Sequence, residues 1–67
     1  MKLIVNEKES IFEKSELTID ELLQRLGIDK NGIAVVVNGD IVRKVRFAEY
    51  KLKDGDRVDI ITMVGGG

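Results

Sequence analysis

The residues of this 67-residue sequence with the clearest capacity for chemistry are its last five, Met63-Val64-Gly65-Gly66-Gly67, which finish on an α-carboxylate. A run of glycines cannot pack or cap, but residues without Cβ can lie extended in a channel too narrow for any side chain. On that reading Gly65 and Gly66 are a thin tether entering a partner's active site, and the carboxylate of Gly67 is the reactive group. The competing reading is an inert end or linker, which would ordinarily contain serine; this segment has none.

The rest of the inventory argues against catalysis by the chain itself. Histidine and cysteine are absent, which removes the commonest general base, the best nucleophile and the usual transition-metal ligands. Ser10 and Ser15 have no identifiable base partner and read as strand or turn residues. Asp54-Gly55-Asp56 sets two hard oxygen ligands around a glycine but lacks the further acids and closing glutamate of an EF-hand, so it reads as a tight turn. No resident metal or cofactor is expected. Arg43, Lys44, Arg46, Lys51 and Lys53 form a basic cluster. Because acids intersperse it and the formal net charge is -1, an acidic protein surface suits it better than nucleic acid.

These groups must be positioned by a small domain. A chain of this length buries roughly 60% of its unfolded surface and, without cysteine, has no disulfide to help. A hydrophobic fraction of 43% against 34% charged fits one soluble domain, expected over residues 1–64 with a flexible glycine tail at 65–67. No apolar run approaches the roughly 20 residues that cross a bilayer, and the amino terminus lacks a signal h-region. The expectation is a cytoplasmic protein with no membrane or nucleic-acid partner, monomeric when free.

Lys2 to Asn6 and Ser10 to Lys14 read as a strand pair joined by the polar Glu7-Lys8-Glu9, with Ile11 and Phe12 competing for the core. Thr18 and Glu21 make a capping-box pattern that starts a helix, and Gly27 is suited to end it in a left-handed conformation. Ile19, Leu22, Leu23 and Leu26 follow at i, i+3, i+4 and i+7, one stripe expected to be buried. Asp29 to Gly32 is a turn; Ile33 to Val42 is a hairpin about Asn38-Gly39. Arg43 to Lys53 is irregular, with room for a short strand or a single helical turn, and Arg57 to Val64 is the last strand.

The order β–β–α–β–β–β places one helix across a sheet. The economical arrangement is α+β: a β-grasp, or ubiquitin-like, fold, with a mixed four- to five-stranded sheet and one main α-helix packed across one face. Its first and last strands are parallel neighbours at the centre, a pairing that rests on compactness and on known folds. Alternation then turns Leu3, Val5, Val35, Val37, Val42, Val58 and Ile60 toward the helix and Ile4, Val36, Ile61 and Met63 outward. An outward apolar patch beside the tail is a candidate partner-docking site.

Taken in order, "MKLIVN", "LTIDELLQRLGI", "VVVNGDIV", "LKDGDRVDII" and the terminal "VGGG" resemble the ThiS family of sulfur carriers over essentially the whole chain. The resemblance implies a protein co-substrate and not an enzyme. A ThiF-type adenylyltransferase, using ATP and Mg²⁺, would convert the Gly67 carboxylate to an acyl-adenylate. Sulfur from a persulfide protein would replace AMP to give a thiocarboxylate, which the thiazole synthase ThiG would consume. The same architecture and glycine end serve MoaD-like sulfur carriers for molybdopterin or another thiolation pathway and ubiquitin-like protein modifiers, which remain the alternatives.

Overall fold

Tight two-residue turns determine which way each strand faces. In the computed structural model, which describes residues 1–63, β1 (Lys2–Val5) and β2 (Lys8–Ile11) are antiparallel, with Val5 opposite Lys8 and Lys2 opposite Ile11. Asn6 and Glu7 alone make the turn, both at positive φ (48° and 70°), so β2 starts two residues earlier than expected. Positive φ at both central positions matches the right-handed twist of the flanking strands. This register turns Ile11 to solvent and lets Phe12 pack on the core, deciding their competition.

Two-residue β3 (Leu17–Thr18) leads directly into α1 (Ile19–Leu26) and pairs with β6 (Lys51–Leu52) in a small second sheet. The capping box is present. The Thr18 hydroxyl accepts from the Glu21 N–H at 3.1 Å, and the Glu21 carboxylate accepts from the Thr18 N–H at 2.9 Å. That backbone hydrogen bond, followed by the one from Lys14, holds the Glu21 carboxyl below its ordinary range. The next free donors of the helix start, the N–H groups of Ile19 and Asp20, reach the carbonyls of Tyr50 and Phe47 at 3.1 Å each.

Gly27, at φ 71°, closes the helix. Its N–H donates to Gln24 and that of Ile28 to Leu23, a Schellman arrangement that folds Ile28 back onto the core. Here the expected stripe needs correction. Ile19, Leu22 and Leu23 are buried, but Leu26 is 40% exposed. It is the last helical residue, and Ile28, arriving from beyond the cap, takes the apolar contact at that end.

β4 (Ile33–Val37) and β5 (Asp40–Val42) form the expected hairpin about Asn38 (φ 50°) and Gly39 (φ 89°). A single 3-10 turn at Lys44–Arg46 then leads to Phe47, which is fully buried, and onward to β6; the irregular segment thus holds both a helical turn and a short strand. β7 (Arg57–Thr62) follows the turn at Gly55 and runs parallel to β1 and antiparallel to β4. The main sheet has the order β2-β1-β7-β4-β5, so the first and last strands are central neighbours, as in a β-grasp. Leu3, Val5, Val35, Val37, Val42 and Val58 are buried with Ile19, Leu22 and Leu23 of the helix, Phe47 and Leu52, and Ile60 packs against them half-buried.

Candidate functional site

The side of the sheet away from α1 is set by the same registers. On β7, Arg57, Asp59 and Ile61 alternate with inward Val58 and Ile60. Opposite them on β4, Val36 pairs with Asp59 and Ala34 with Ile61, and on the outermost strand Ile41 stands opposite Val36. Met63 follows Thr62 with its N–H bonded to the Gly32 carbonyl at 2.9 Å, keeping it beside the β4 end of the sheet. Ile61 is 51% and Met63 61% exposed, while Val36 and Ala34 are half-buried.

Val36, Ile61 and Met63 therefore run along the β4–β7 part of the open face, with Ile61 between the other two: diagonal to Val36 across the strand pair and two residues before Met63. Ile4 is on the same face, half-buried, but its neighbour is Arg57, whose guanidinium stands 4.0 Å from the Asp59 carboxylate. This ion pair separates Ile4 from Val36. Ile41, absent from the sequence-derived patch, belongs to it and is 75% exposed. The signal was available: a two-residue Asn38-Gly39 turn puts Asp40 opposite Val37 and so Ile41 beside Val36.

β7 is held on both flanks. Val5 and Val58 are parallel partners, and where β1 ends the Asn6 side chain continues the ladder, its Oδ1 accepting from the Ile60 N–H at 2.7 Å. On the other flank β4 pairs with β7 from Val58 to Thr62. The Asn38 side chain ties the β4–β5 turn to the start of β7, donating to Asp56 at 3.0 Å and accepting from the Arg57 N–H at 2.9 Å. Gly65, Gly66 and Gly67, with Val64, lie outside the described residues, and the expected domain boundary at residue 64 falls there too.

The basic cluster is not one patch. Lys51 turns to Glu16 at 3.5 Å, and Lys44 donates to Asn31 at 2.7 Å. Arg46 pairs with Glu49 at 2.9 Å, and Arg43 makes no ion pair among the described residues. Among those residues there is also no cluster of three or more acidic side chains that could hold a metal ion, and no helix long and apolar enough to cross a membrane.

A mixed five-stranded sheet crossed by one helix, with an open apolar face at the end of its central last strand, defines a ubiquitin-like β-grasp protein. Comparison with known proteins narrows the class. The ThiS family model matches residues 2–67. The chain is 34% identical over 65 residues to the sulfur carrier protein ThiS of Bacillus subtilis, covering 97% of this chain and 98% of that one. The crystal structure of the thiamine biosynthesis protein ThiS from Geobacter metallireducens matches with a TM-score of 0.89 at 33% identity, covering 100% of both chains. The whole chain is also 40% identical over 67 residues to part of the thiazole synthase of Paramagnetospirillum magneticum, of whose length it spans only 20%. This chain belongs to the ThiS family, the sulfur carriers of thiamine biosynthesis.

Proposed function

We propose that this protein carries sulfur on its terminal carboxylate, as a thiocarboxylate on Gly67, for the thiazole part of thiamine. The observation that carries the reading is the family match through residue 67, so that it includes the glycine segment following the open apolar face. A carboxylate does not accept sulfur unaided, because oxide is too poor a leaving group. Attack of the Gly67 carboxylate on the α-phosphorus of ATP, with loss of pyrophosphate, gives an acyl-adenylate whose leaving group is AMP. A ThiF-type adenylyltransferase supplies Mg²⁺ and the charge stabilisation for that step. A persulfide protein then attacks the carbonyl through its terminal sulfur and expels AMP. Cleavage of the remaining S–S bond by a thiol reductant leaves the thiocarboxylate.

The chain's own residues contribute recognition and reach. Val36, Ile61 and Met63 present the apolar surface on which partners seat, Gly65 and Gly66 provide the narrow tether, and no side chain of the carrier takes part in bond making. Thiazole synthase ThiG is the proposed acceptor. The support is that a protein named thiazole synthase contains, within one chain, a segment similar to all of this one. The cytoplasm, where ATP and reducing thiols are available, is the proposed compartment. Intact-mass spectrometry of the protein isolated from cells tests the reading: a terminal oxygen-to-sulfur exchange is expected, lost on deletion of Gly66 and Gly67. Thiazole formation undiminished by that deletion would refute it.

A further inference from the structure

β5 is one of the two edge strands of the main sheet, and among the described residues no strand lies along its outer edge. The hydrogen-bonded pair next to a two-residue turn is Val37 with Asp40, so the following residue, Ile41, directs its backbone N–H and C=O away from β4. Against this edge lies a cleft of about 510 Å³ lined by Ile41, Val42, Arg43, Val45, Arg46 and Tyr50. Ile41 and Val45 are 75% and 81% exposed, the two most exposed large apolar side chains among the described residues. Arg43 and Arg46 both line the cleft and no acidic residue does; the Arg46 guanidinium is paired with Glu49 at 2.9 Å, whereas Arg43 makes no ion pair among the described residues.

We propose that this cleft binds an extended acidic segment of the enzyme that adenylates the terminus. The segment adds along the β5 edge, a carboxylate on Arg43 and one apolar side chain between Ile41 and Val45. An unpaired edge supplies main-chain hydrogen bonds without sequence preference, alternate side chains supply specificity, and planar guanidiniums select carboxylates. Ile41 also borders Val36, so a partner covering the open face reaches the cleft without a gap. The partner's identity rests on the carrier reading; the chemistry of the segment rests on the cleft.

The test is ATP–pyrophosphate exchange by the cognate ThiF-type enzyme, with the full chain as variable substrate, at low and high salt. Arg43→Glu is expected to raise the KM for the carrier roughly 3- to 10-fold at low salt with kcat unchanged, the difference shrinking as salt rises. Val45→Glu should act in the same direction, and Arg43→Lys, which keeps the charge but loses the planar fork, should fall between wild type and Arg43→Glu. Lys51→Glu makes the same change in net charge away from the cleft and is expected to leave KM near wild type. A normal KM for Arg43→Glu, or an equal rise for Lys51→Glu, overturns the proposal. So does sedimentation showing that the cleft joins two copies of the chain and that Arg43→Glu separates them. If wild-type chain supports no exchange, the carrier reading itself fails, and the partner assigned to the cleft fails with it.

Discussion

Replacing Ile61 by alanine separates recognition from stability. Ile61 is 51% exposed in the free protein, so about half of its side chain remains to be buried by a partner on the open face. Full burial of a side chain of this size is worth about 1.5–3 kcal/mol, leaving about 0.8–1.5 kcal/mol for the interface. That range corresponds to roughly 4- to 13-fold in affinity, an upper figure because alanine keeps one carbon and association has costs of its own. The assay is the KM for the carrier in adenylation by the ThiF-type enzyme, with kcat expected to hold because the reacting carbonyl is untouched. Ile11→Ala is the control. Ile11 is 74% exposed and lies on β2, at the edge of the sheet farthest from β4 and β5. If exposure alone governed docking, Ile11 would matter more; if adjacency to Met63 and Val36 governs it, KM for Ile11→Ala stays at the wild-type value. Equal effects from the two substitutions, or none from Ile61→Ala in a folded protein, would refute the assignment of the face.

Thr18→Ala removes the side-chain half of the capping box and is expected to cost about 1 kcal/mol, lowering Tm by about 4–8 °C in a thermal melt. The Glu21 carboxyl is held below its ordinary range by the Thr18 N–H and then by Lys14, so between its folded and unfolded pKa values the unfolded chain binds more protons. Its stabilising contribution is therefore complete above the unfolded pKa and is lost as pH falls through the folded one; urea midpoints across the acid range should show a shallower decline for Glu21→Gln. Leu52 is fully buried on β6, and Leu52→Ala should cost about 2–5 kcal/mol. A domain of this length has only about 3–10 kcal/mol in total, so chemical denaturation should find this variant close to its unfolding midpoint without denaturant.

The elements that local chemistry specifies were legible in the sequence: the Thr18–Glu21 box, the left-handed Gly27, the Asn38-Gly39 turn and the inward alternation of β1, β4 and β7. Each depends on residues a few positions apart. The features that were not legible depend on tertiary contact. A turn at Asn6-Glu7 puts a glutamate at φ 70°, a conformation its own type disfavours and the closing strands impose. The pairing of Leu17 with Leu52 joins positions far apart in the chain through strands too short to carry a periodic signal. Leu26 matched the helical stripe, yet Ile28, returning through the cap, occupied the contact that spacing assigned to it. At the site, alternation correctly turned Ile61 and Met63 outward. It could not place the Arg57–Asp59 pair between Ile4 and Val36, because the register that sets Ile4 beside Arg57 and Val36 beside Asp59 is a property of the assembled sheet.

The strand that leads toward the glycines is clasped along both edges, with β1 and the Asn6 side chain on one flank and β4 along the other. Its ladder hydrogen bonds lie across the strand direction. A pull applied along β7 from its carboxyl end therefore loads them in shear, all together, and does not peel them one at a time as it would at an edge. Mechanically, β7 is an anchor set in the middle of the sheet. On the proposed carrier role, a partner drawing on the end of the chain would load β1 and β4 together with β7.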